Sequence, residues 1–417
     1  MTTLLLIVAW GLALLLLPWF GLMALVTAGA LAGRLARARA RGADPAATGA
    51  TTFLFVVPAH DEEAVIDVTV RSCRAVDYDP ARFQVCVIAD NCTDATAEAA
   101  RSAGAEVWGR ADPARKSKGY ALEDFFAALP GLPELRPADA FVLVDADTSV
   151  APDLLRAFDR SLARGDDFIQ GYYTVRNADA SWRTRLMTFA FSLANGAWPA
   201  GLDRLGLGVG LKGNGMCFRA AALRRFPWRA AGLVEDMEFA WNLRVGGERV
   251  RFDPDARVFG EMVSRGGPGA ASQRRRWESG RRALRGTFRR ALGRSTHLSA
   301  IEKLLYRLDL EYPPLGRLAV RLAFATTLAC AGGMIAAWSP GWVAVVAVLG
   351  ACWACLLAYA ACPVAVVGLP PRYLASVGHL PAYLVWKFCV GSRRAPQQWV
   401  RTPREAAAAG QSEGGEG

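Results

Sequence analysis

Residues 141–147 read FVLVDAD, an apolar run that stops at two carboxylates. Four consecutive apolar residues have the length and composition of a strand that is buried on both faces, so Asp145 and Asp147 lie where the strand ends. In an open α/β sheet the ligand crevice lies at the carboxyl ends of the strands. The stretch therefore predicts an apolar strand with an acidic D-x-D pair at the ligand-binding edge.

Similar short runs alternate with segments of helical character between about Thr51 and Phe259. We expect strands at Phe53–Val57, Phe83–Ala89, Phe141–Asp145, Phe168–Tyr173 and Arg249–Phe252. Helices are expected after Asp61 and after Thr93, because Asp and Thr oxygens are suited to helix capping. The pattern predicts an α/β domain with a mixed, mostly parallel sheet over residues 51–272.

The flanks of this domain are strongly apolar. Residues 1–33 carry no charged side chain, which exceeds the roughly 20 residues needed to cross a bilayer. The basic start and short core of a cleaved signal peptide are missing, so we expect a transmembrane anchor. Uncharged runs at 322–338 and 342–369 predict a membrane hairpin within residues 316–369. Residues 370–405, which include the interrupted apolar segment Tyr373–Val390, are expected at the interface rather than as a fourth span, and residues 406–417 to be disordered.

The formal net charge of +11 is concentrated beside the apolar runs. Arg34, Arg37, Arg39 and Arg41 follow the first run within an expected basic linker, 34–50, and an Arg-rich stretch at 273–315 precedes the second group. Juxtamembrane arginines favour the positive-inside rule and anionic headgroups over nucleic acid. We therefore expect a multi-pass protein of the inner or plasma membrane, with amphipathic interface helices at 273–315, a cytoplasmic α/β domain and no nucleic-acid partner.

The cysteine and histidine residues do not indicate a metal site. Among nine cysteines, Cys352 and Cys355 have C-x-x-C spacing, but they lie inside an apolar run without a second pair. The chain has three histidines. We expect the cysteines to be buried small hydrophobic residues.

Acidic side chains follow three of the expected strands. Asp61 and Glu62 follow the first, Asp90 the second, and Asp145 and Asp147 the third. Carboxylates gathered at one edge would raise each other's pKa unless a cation lay between them. Hard carboxylate oxygens suit Mg²⁺ or Mn²⁺, which bridge protein to phosphate oxygens. The pattern predicts a divalent cation with a diphosphate, although a D-x-D pair can also merely cap a loop.

Two loops could approach such a ligand. Lys116 and Lys118 could meet phosphate or sugar as point charges, or they could form a solvated basic loop. Gly213, Asn214 and Gly215 would let backbone come close to a ligand, although glycine-rich loops are common.

Two helical segments could take part in the chemistry. Glu235 and Asp236 open an expected helix over Met237–Val245, where a carboxylate could accept a proton from an attacking hydroxyl or could simply cap the helix. The stretch QRRRW at residues 273–277 places an amide, guanidinium groups and an indole within one and a half turns. These groups could bind phosphate and sugar, or they could anchor a basic interfacial helix.

Taken in order, these segments resemble the membrane-bound, inverting family 2 glycosyltransferases. That group includes cellulose, chitin and hyaluronan synthases, chitooligosaccharide synthases and ceramide glucosyltransferases. The likeness covers about Thr51 to Trp277 and implies a GT-A, nucleotide-diphospho-sugar transferase fold. Val234 replaces the Thr of the family's Thr-Glu-Asp motif, and His60-Asp61 stands where Tyr-Asn is usual, but neither departure removes a carboxylate.

The resemblance also implies roles for individual residues. Asp236 is the implied catalytic base, with Glu235 beside it in the motif, and Asp147 is the implied metal ligand, with Asp145. The remaining candidates are the nucleotide-binding set, Asp61, Glu62, Asp90, Lys118 and Asp145, and the set facing the diphosphate or the acceptor, Gln273, Arg276, Trp277, Gly213, Asn214 and Gly215.

The implied reaction is inverting transfer from a nucleotide-sugar donor, with UDP-glucose or UDP-N-acetylglucosamine favoured, to a growing glycan at the cytosolic membrane face. Mg²⁺ or Mn²⁺ is the implied cofactor, and membrane lipids are expected partners. Two alternatives stay open: single-sugar transfer to a membrane lipid, and a non-catalytic nucleotide-binding membrane module.

Overall fold

The structure is a computed structural model that describes residues 2–40, 49–229, 232, 234–262 and 268–380, with residues 40 and 268–278 described by their backbone alone. Its strands are β1 Phe53–Ala59, β2 Phe83–Asp90, β3 Glu106–Arg110, β4 Ala140–Leu143, β5 Thr148–Val150, β6 Phe168–Val175, β7 Met216–Arg219 and β8 Val250–Gly260. Its helices are α1 Thr2–Ala40, α2 Ile66–Arg74, α3 Thr96–Ser102, α4 Lys118–Ala128, α5 Leu154–Ala163, α6 Trp182–Phe191, α7 Trp198–Arg204, α8 Ala220–Arg225, α9 Glu235–Val245, α10 Pro268–Arg294, α11 Ala300–Glu311, α12 Leu315–Ile335 and α13 Pro340–Val366. Short 3₁₀ helices cover Pro80–Arg82, Leu129–Gly131 and Pro371–His379, and a π-helical turn covers Ser192–Ala197.

The strands form one eight-stranded sheet in the order β3-β2-β1-β4-β7-β6-β8-β5. Strands β3, β2, β1 and β4 are parallel, as are β6 and β8, whereas β7 is antiparallel to both of its neighbours and β5 to β8. Leu143 at the end of β4 pairs with Met216 at the start of β7. The loop that enters β7 therefore lies at the edge where β4 ends, and the predicted mixed, mostly parallel α/β class is confirmed.

The sheet is covered on both faces because successive side chains of a strand point to opposite sides. On β1, Phe55 and Val57 face a core shared with α2 and α5, and Leu54 and Val56 face a second core shared with α4. The second core continues without interruption into the apolar residues of α1, α9, α12 and α13. The α/β domain and the long apolar helices are thus packed as one body.

All five expected strands are present, and the structure adds β3, β5 and β7. The prediction that Asp61 and Thr93 cap helices is wrong. Helix α2 begins only at Ile66, and the Asp61 carboxylate accepts a hydrogen bond from the Thr93 N–H at 2.7 Å instead. Asp61 thus ties the loop after β1 to the loop after β2.

Helices α1, α12 and α13 are each long and apolar enough to cross a bilayer. Helix α1 continues through Arg34 and Arg37 to Ala40, and it packs against α7, α12 and α13. A side-chain carbon at Gly201 of α7 would lie 2.1 Å from the Val26 carbonyl oxygen of α1. Only glycine allows the two helix backbones to approach this closely, so α1 is tightly packed against α7 of the α/β domain. The segment Tyr373–Val390 begins in the 3₁₀ helix Pro371–His379, and its part beyond residue 380 lies outside the described residues, as does the tail from residue 406.

Candidate functional site

Asp145 is paired with a lysine from a neighbouring helix. Ser117 caps α4 by accepting a hydrogen bond from the Tyr120 N–H at 3.2 Å, which fixes the start of the helix at Lys118. The Lys118 ammonium donates to the Asp145 carboxylate and to the Gly213 carbonyl oxygen. Two of the predicted nucleotide-binding residues and the glycine loop are therefore in direct contact.

The loop from Gly213 to Gly215 is tied to the D-x-D segment through a buried amide. The Asn214 side chain accepts from the Asp145 N–H at 3.2 Å and donates to the Thr148 hydroxyl at 2.7 Å. Gly213 has φ +75° and Gly215 has φ +64°, conformations that favour glycine. The sequence thus supplies an amide to bridge the strand ends and glycines to turn the chain on either side of it.

Asp236 lies against this loop. It is in the first turn of α9, where its Oδ1 accepts a hydrogen bond from the Met237 N–H at 2.7 Å. A side-chain carbon at Gly213 would lie 3.3 Å from Asp236 Oδ2 and 3.6 Å from Lys118 Nζ. The predicted base, the lysine and the end of β4 therefore share one pocket.

Burial sets the protonation of this pocket. Burial alone lowers the pKa of Lys118, but the surrounding carboxylates, led by Asp145, outweigh it and the pKa is raised. Burial, with the adjacent Asp236 charge, raises the pKa of Glu235 to about 7, and burial also raises the pKa of Asp236. Burial thus raises the pKa of both carboxyl groups towards neutral pH, which suits a group that takes up a proton during a reaction.

Residues after β1 and β2 form a second, adjoining part of the edge. The His60 ring Nδ1 lies 2.6 Å from the Asp90 carbonyl oxygen, and its Nε2 lies 3.7 Å from the Asp61 carboxylate. Asp61 and Asn91 both have positive φ, 53° and 50°, in the left-handed region that few residues with a side chain adopt, although Asp and Asn do so more readily than most. Residues in the left-handed region recur at ligand-binding sites, and these two turns lie at the same sheet edge as the other candidate residues.

Asp90 is held by an arginine that the sequence did not indicate. Arg110, at the end of β3, donates to Asp90 Oδ1 at 2.7 Å and to Asp124 at 2.7 Å, and its side chain is 5% exposed. Asn91 donates to the same Asp90 oxygen at 2.8 Å. Burial raises the pKa of Asp90, and the bond from Arg110 partly offsets that rise. Arg110 therefore fixes the orientation of this carboxylate.

Two further acidic candidates, Asp147 and Glu62, lie near threonine residues. Asp147 Oδ1 accepts from the Thr148 hydroxyl at 3.4 Å. Glu62 is buried, and its N–H donates to the Thr96 hydroxyl at 2.8 Å. Separately, Asp61, Cys92 and Asp94 offer ligand atoms within 4.8 Å of one another. Metal binding by Asp145 and Asp147 stays a prediction.

Helix α10, which carries the QRRRW stretch, contacts α9. Gln273, Arg276 and Trp277 lie on α10, but their side chains are outside the described part of the chain, so their roles stay predictions. Further along α10, a side-chain carbon at Gly280 would lie 2.7 Å from the Val234 side chain. Val234, which stands where the family's motif has Thr, is 5% exposed and packs against this glycine directly before Glu235.

Sequence reasoning missed Lys212, which precedes the glycine loop. Burial and the charge of Arg281 lower the pKa of Lys212 to about 8, while Asp309 and Asp236 act in the opposite direction. Lys212 is the only charged residue between Arg204 and Arg219. A lone lysine in an uncharged run was the signal that could have identified it.

The family model described as "Glycosyltransferase like family 2" matches residues 50–280, more than half of the chain. No curated protein matches the chain significantly.

Several solved structures are similar. One is a mannosyltransferase from Pyrobaculum calidifontis in complex with GDP-Man and Mn²⁺, at 17% identity and a TM-score of 0.47, covering 81% of this chain and 99% of that one. Another is glucosyl-3-phosphoglycerate synthase from Mycobacterium tuberculosis with Mg²⁺ and UDP, at 20% identity and a TM-score of 0.37, covering 61% and 83%. A third is S. aureus TarS 1–349, at 13% identity and a TM-score of 0.43, covering 75% and 90%.

Proposed function

The chain belongs to glycosyltransferase family 2, and from that premise we propose that it transfers a sugar from a UDP-sugar to an acceptor hydroxyl at the membrane, with inversion at the anomeric carbon. The observation that carries the proposal is the position of Asp236. Its carboxylate is partly buried, its pKa is raised, and it lies beside Lys118 and the Gly213 loop at the sheet edge where β4 ends.

The proposed reaction is a single displacement. Asp236 accepts the proton of the acceptor hydroxyl while the oxygen attacks the anomeric carbon, and the bond from that carbon to the diphosphate oxygen breaks. The diphosphate leaves with the bonding electrons on the face opposite to attack. Holding the acceptor and the donor in line supplies much of the rate, because a bimolecular step becomes effectively unimolecular.

The carboxylates after β4 fit a divalent cation. Asp145 and Asp147 present hard oxygen ligands, although one oxygen of Asp145 is bonded to Lys118. We propose that Asp147 holds Mg²⁺ or Mn²⁺ with help from Asp145. When bound, the cation neutralises charge that builds on the leaving diphosphate. Arg276 and Gln273 of α10 are proposed to contact the same diphosphate, and Trp277 the acceptor.

The surroundings of Asp90 support uracil as the base. Arg110 and Asn91 both donate to Asp90 Oδ1, which leaves Oδ2 to accept from a nucleotide. One acceptor oxygen matches the single ring N–H of uracil, whereas guanine presents two adjacent N–H donors that would use both oxygens. We propose that Asp61 and Glu62 complete this nucleoside pocket. UDP-glucose and UDP-N-acetylglucosamine are the favoured donors.

The three apolar helices are proposed to hold the domain at the cytoplasmic face of the inner or plasma membrane, because Arg34 and Arg37 follow the apolar part of α1. The acceptor is proposed to be a growing glycan, with single transfer to a membrane lipid as the alternative. Either product would be formed by the same displacement at Asp236.

Incubating the purified full-length chain in lipid nanodiscs with a panel of labelled UDP-sugars tests the function. The wild type is expected to release UDP and to label a product that partitions with lipid or with polymer. Asp236→Asn is expected to lose turnover by about 10²–10⁴-fold while UDP still binds. Glu238→Gln, on the same turn of α9, is the matched control. Measurable and equal turnover in Asp236→Asn and the wild type would exclude Asp236 as the base, whereas UDP binding without turnover in the wild type would favour a binding module.

A further inference from the structure

We propose that Arg185 and Arg372 form a binding site for the phosphate headgroup of an anionic membrane lipid. The two side chains come from α6 and from the 3₁₀ helix Pro371–His379, and together with Asp179 they line a mainly polar cavity of about 350 Å³. The cavity includes neither the proposed base nor the D-x-D pair, so lipid binding there is a property separate from the proposed sugar transfer.

Asp179 holds the two arginines side by side. It lies in the loop that follows β6, and its Oδ2 accepts a hydrogen bond from Arg372 Nη2 at 3.0 Å and from the Tyr373 hydroxyl at 2.9 Å. Its Oδ1 lies 3.3 Å from Arg185 Nε. One carboxylate therefore positions guanidinium groups from two different elements at the same cavity.

Both guanidinium groups keep donors for a ligand. An arginine carries five N–H donors, whereas the contacts with Asp179 use one nitrogen of Arg372 and one of Arg185. The two side chains are 68% and 52% exposed, respectively, so a ligand can reach the other donors from outside. Phosphate oxygens match the planar fork of a guanidinium group, and a phosphate in the cavity would be shared by two such forks.

The charge around the cavity is positive. Arg183, on the same turn of α6, has its guanidinium carbon 5.4 Å from the centre of the Trp182 ring, and that ring stacks on His379 with 5.3 Å between ring centres. Arginines at 183, 185 and 372 thus surround the single carboxylate of Asp179. One negative charge does not balance three positive charges, so the junction of α6 and the 3₁₀ helix attracts an anion.

The cavity lies close to the point where the apolar helices end. Arg34, the first charged residue after the apolar part of α1, donates from Nε to the Ala365 carbonyl oxygen of α13 at 3.0 Å. An arginine near a helix end reaches out of the hydrocarbon core, so this contact marks the headgroup level for both helices. The 3₁₀ helix Pro371–His379 begins a few residues beyond α13 and packs against α6. The two arginines are therefore beside the headgroup layer.

A lipid bound there would also orient the α/β domain. Strand β7 is antiparallel to both β4 and β6, so β4 and β6 run in the same direction. The loop that carries Asp179 consequently follows the same edge of the sheet as Asp145 does after β4. A headgroup held by Arg185 and Arg372 would keep this edge, with the proposed transfer site, next to the bilayer surface.

Native mass spectrometry of the purified full-length chain in a neutral maltoside detergent tests the site. The chain is titrated with phosphatidylglycerol or with phosphatidylcholine of the same acyl chains. No nucleotide is present, so the result is independent of the proposed sugar transfer. The wild type is expected to bind its first phosphatidylglycerol with a Kd about fivefold or more below that for phosphatidylcholine. Arg185→Gln combined with Arg372→Gln should raise the Kd for phosphatidylglycerol about tenfold or more and leave the Kd for phosphatidylcholine unchanged.

A second pair of arginines provides the matched control. Arg71→Gln combined with Arg101→Gln removes the same formal charge from exposed positions on α2 and α3, and both Kd values should stay at the wild-type level. A phosphatidylglycerol analogue with a photoreactive headgroup tests the wild type without any substitution. It should label peptides that contain α6 or the 3₁₀ helix Pro371–His379.

Equal Kd values for phosphatidylglycerol in the wild type and in the Arg185 and Arg372 double variant would overturn the proposal. So would equal affinity of the wild type for the two lipids, or photolabelling confined to other parts of the chain. Glycerol 3-phosphate, the soluble counterpart of the headgroup, should not displace the bound lipid. Displacement by glycerol 3-phosphate at concentrations near the Kd of the lipid would assign the cavity to a free phosphate ester instead and would exclude the lipid.

Discussion

Lys118 and Asp145 form an ion pair that joins the first residue of α4 to the segment after β4. Through its second bond, to the Gly213 carbonyl oxygen, the lysine also holds the loop that faces Asp236. One ammonium group therefore links the proposed donor pocket to the proposed base.

Removing this ammonium is expected to weaken donor binding. In Lys118→Met the Asp145 charge loses its partner and repels the diphosphate, so the Kd for UDP should rise about tenfold or more, in line with ~1.5–3 kcal/mol for a hydrogen bond to a charged group. Titration of the purified variant with UDP measures this. Lys116→Met removes an exposed lysine two residues away and should leave the Kd unchanged. An unchanged Kd in Lys118→Met would exclude this role.

The carboxylate pair predicts the pH dependence of turnover. The base must be ionised to accept a proton, and the pair loses its last proton near pH 7 because burial and mutual repulsion raise the pKa of Glu235 to about 7. Activity at saturating donor should therefore rise from pH 6 to pH 8. In Glu235→Gln the remaining Asp236 loses the charge of the carboxylate to which it is coupled, so the midpoint should move to lower pH. A profile whose midpoint does not move would show that the two carboxyl groups are not coupled.

Gly213 is expected to tolerate no side chain. Its φ of +75° costs a residue with a side chain about 1–2 kcal/mol, and the new carbon would lie 3.3 Å from Asp236 Oδ2. Gly213→Ala should lower kcat about tenfold to a hundredfold through displacement of the base, with a smaller effect on UDP affinity. Gly210→Ala, three residues earlier, places its methyl group in open space and should have wild-type kinetics. Wild-type kcat in Gly213→Ala would argue against a base at Asp236.

The buried pair of Arg244 and Asp309 is expected to stabilise the contact between α9 and α11. Breaking a buried pair by removing one partner costs about 3–5 kcal/mol, because the other charge stays buried. A double-mutant cycle with Arg244→Met and Asp309→Leu should give a coupling energy of about 1–3 kcal/mol in denaturant unfolding.

An exposed pair provides the control for that cycle. Arg249, which lies between α9 and β8, forms an ion pair with Glu302 of α11, with 2.9 Å between the guanidinium nitrogen and the carboxylate oxygen. The Arg249 side chain is 53% exposed. Its coupling energy should stay below about 1 kcal/mol. Equal coupling in the two cycles would show that burial does not strengthen the Arg244 pair.

The sequence was most informative where burial is complete. Strands β1, β2, β4 and β6 were predicted because they carry apolar or aromatic runs, whereas β8 was predicted only at its start, as Arg249–Phe252. Strand β7 has four residues, β5 has three, and the edge strand β3 is half-exposed, so none of them has a pattern strong enough to separate it from a loop.

The sequence predicted which types of residue form the site, but not which residues they contact. The carboxylates that follow strands could be recognised in the sequence. The contacts among Lys118, Asp145, Gly213 and Asp236, which come from separate segments of the chain, are seen only in the structure. Arg110 could not be predicted to hold Asp90, because it lies at the end of β3, which itself had no clear signal. The charge of Asp309 acts on Lys212 only because α11 packs on the domain, and sequence separation hides such a long-range arrangement.

The close fit of Val26 against Gly201 has a practical consequence for making this protein. Deleting residues 1–40 to obtain a soluble fragment would strip the partner surface from α7, whose Ala200 and Leu202 are almost completely covered. The fragment would present that apolar strip to water and aggregate. Production of active material should therefore retain the leading helix and extract the whole chain in detergent or lipid.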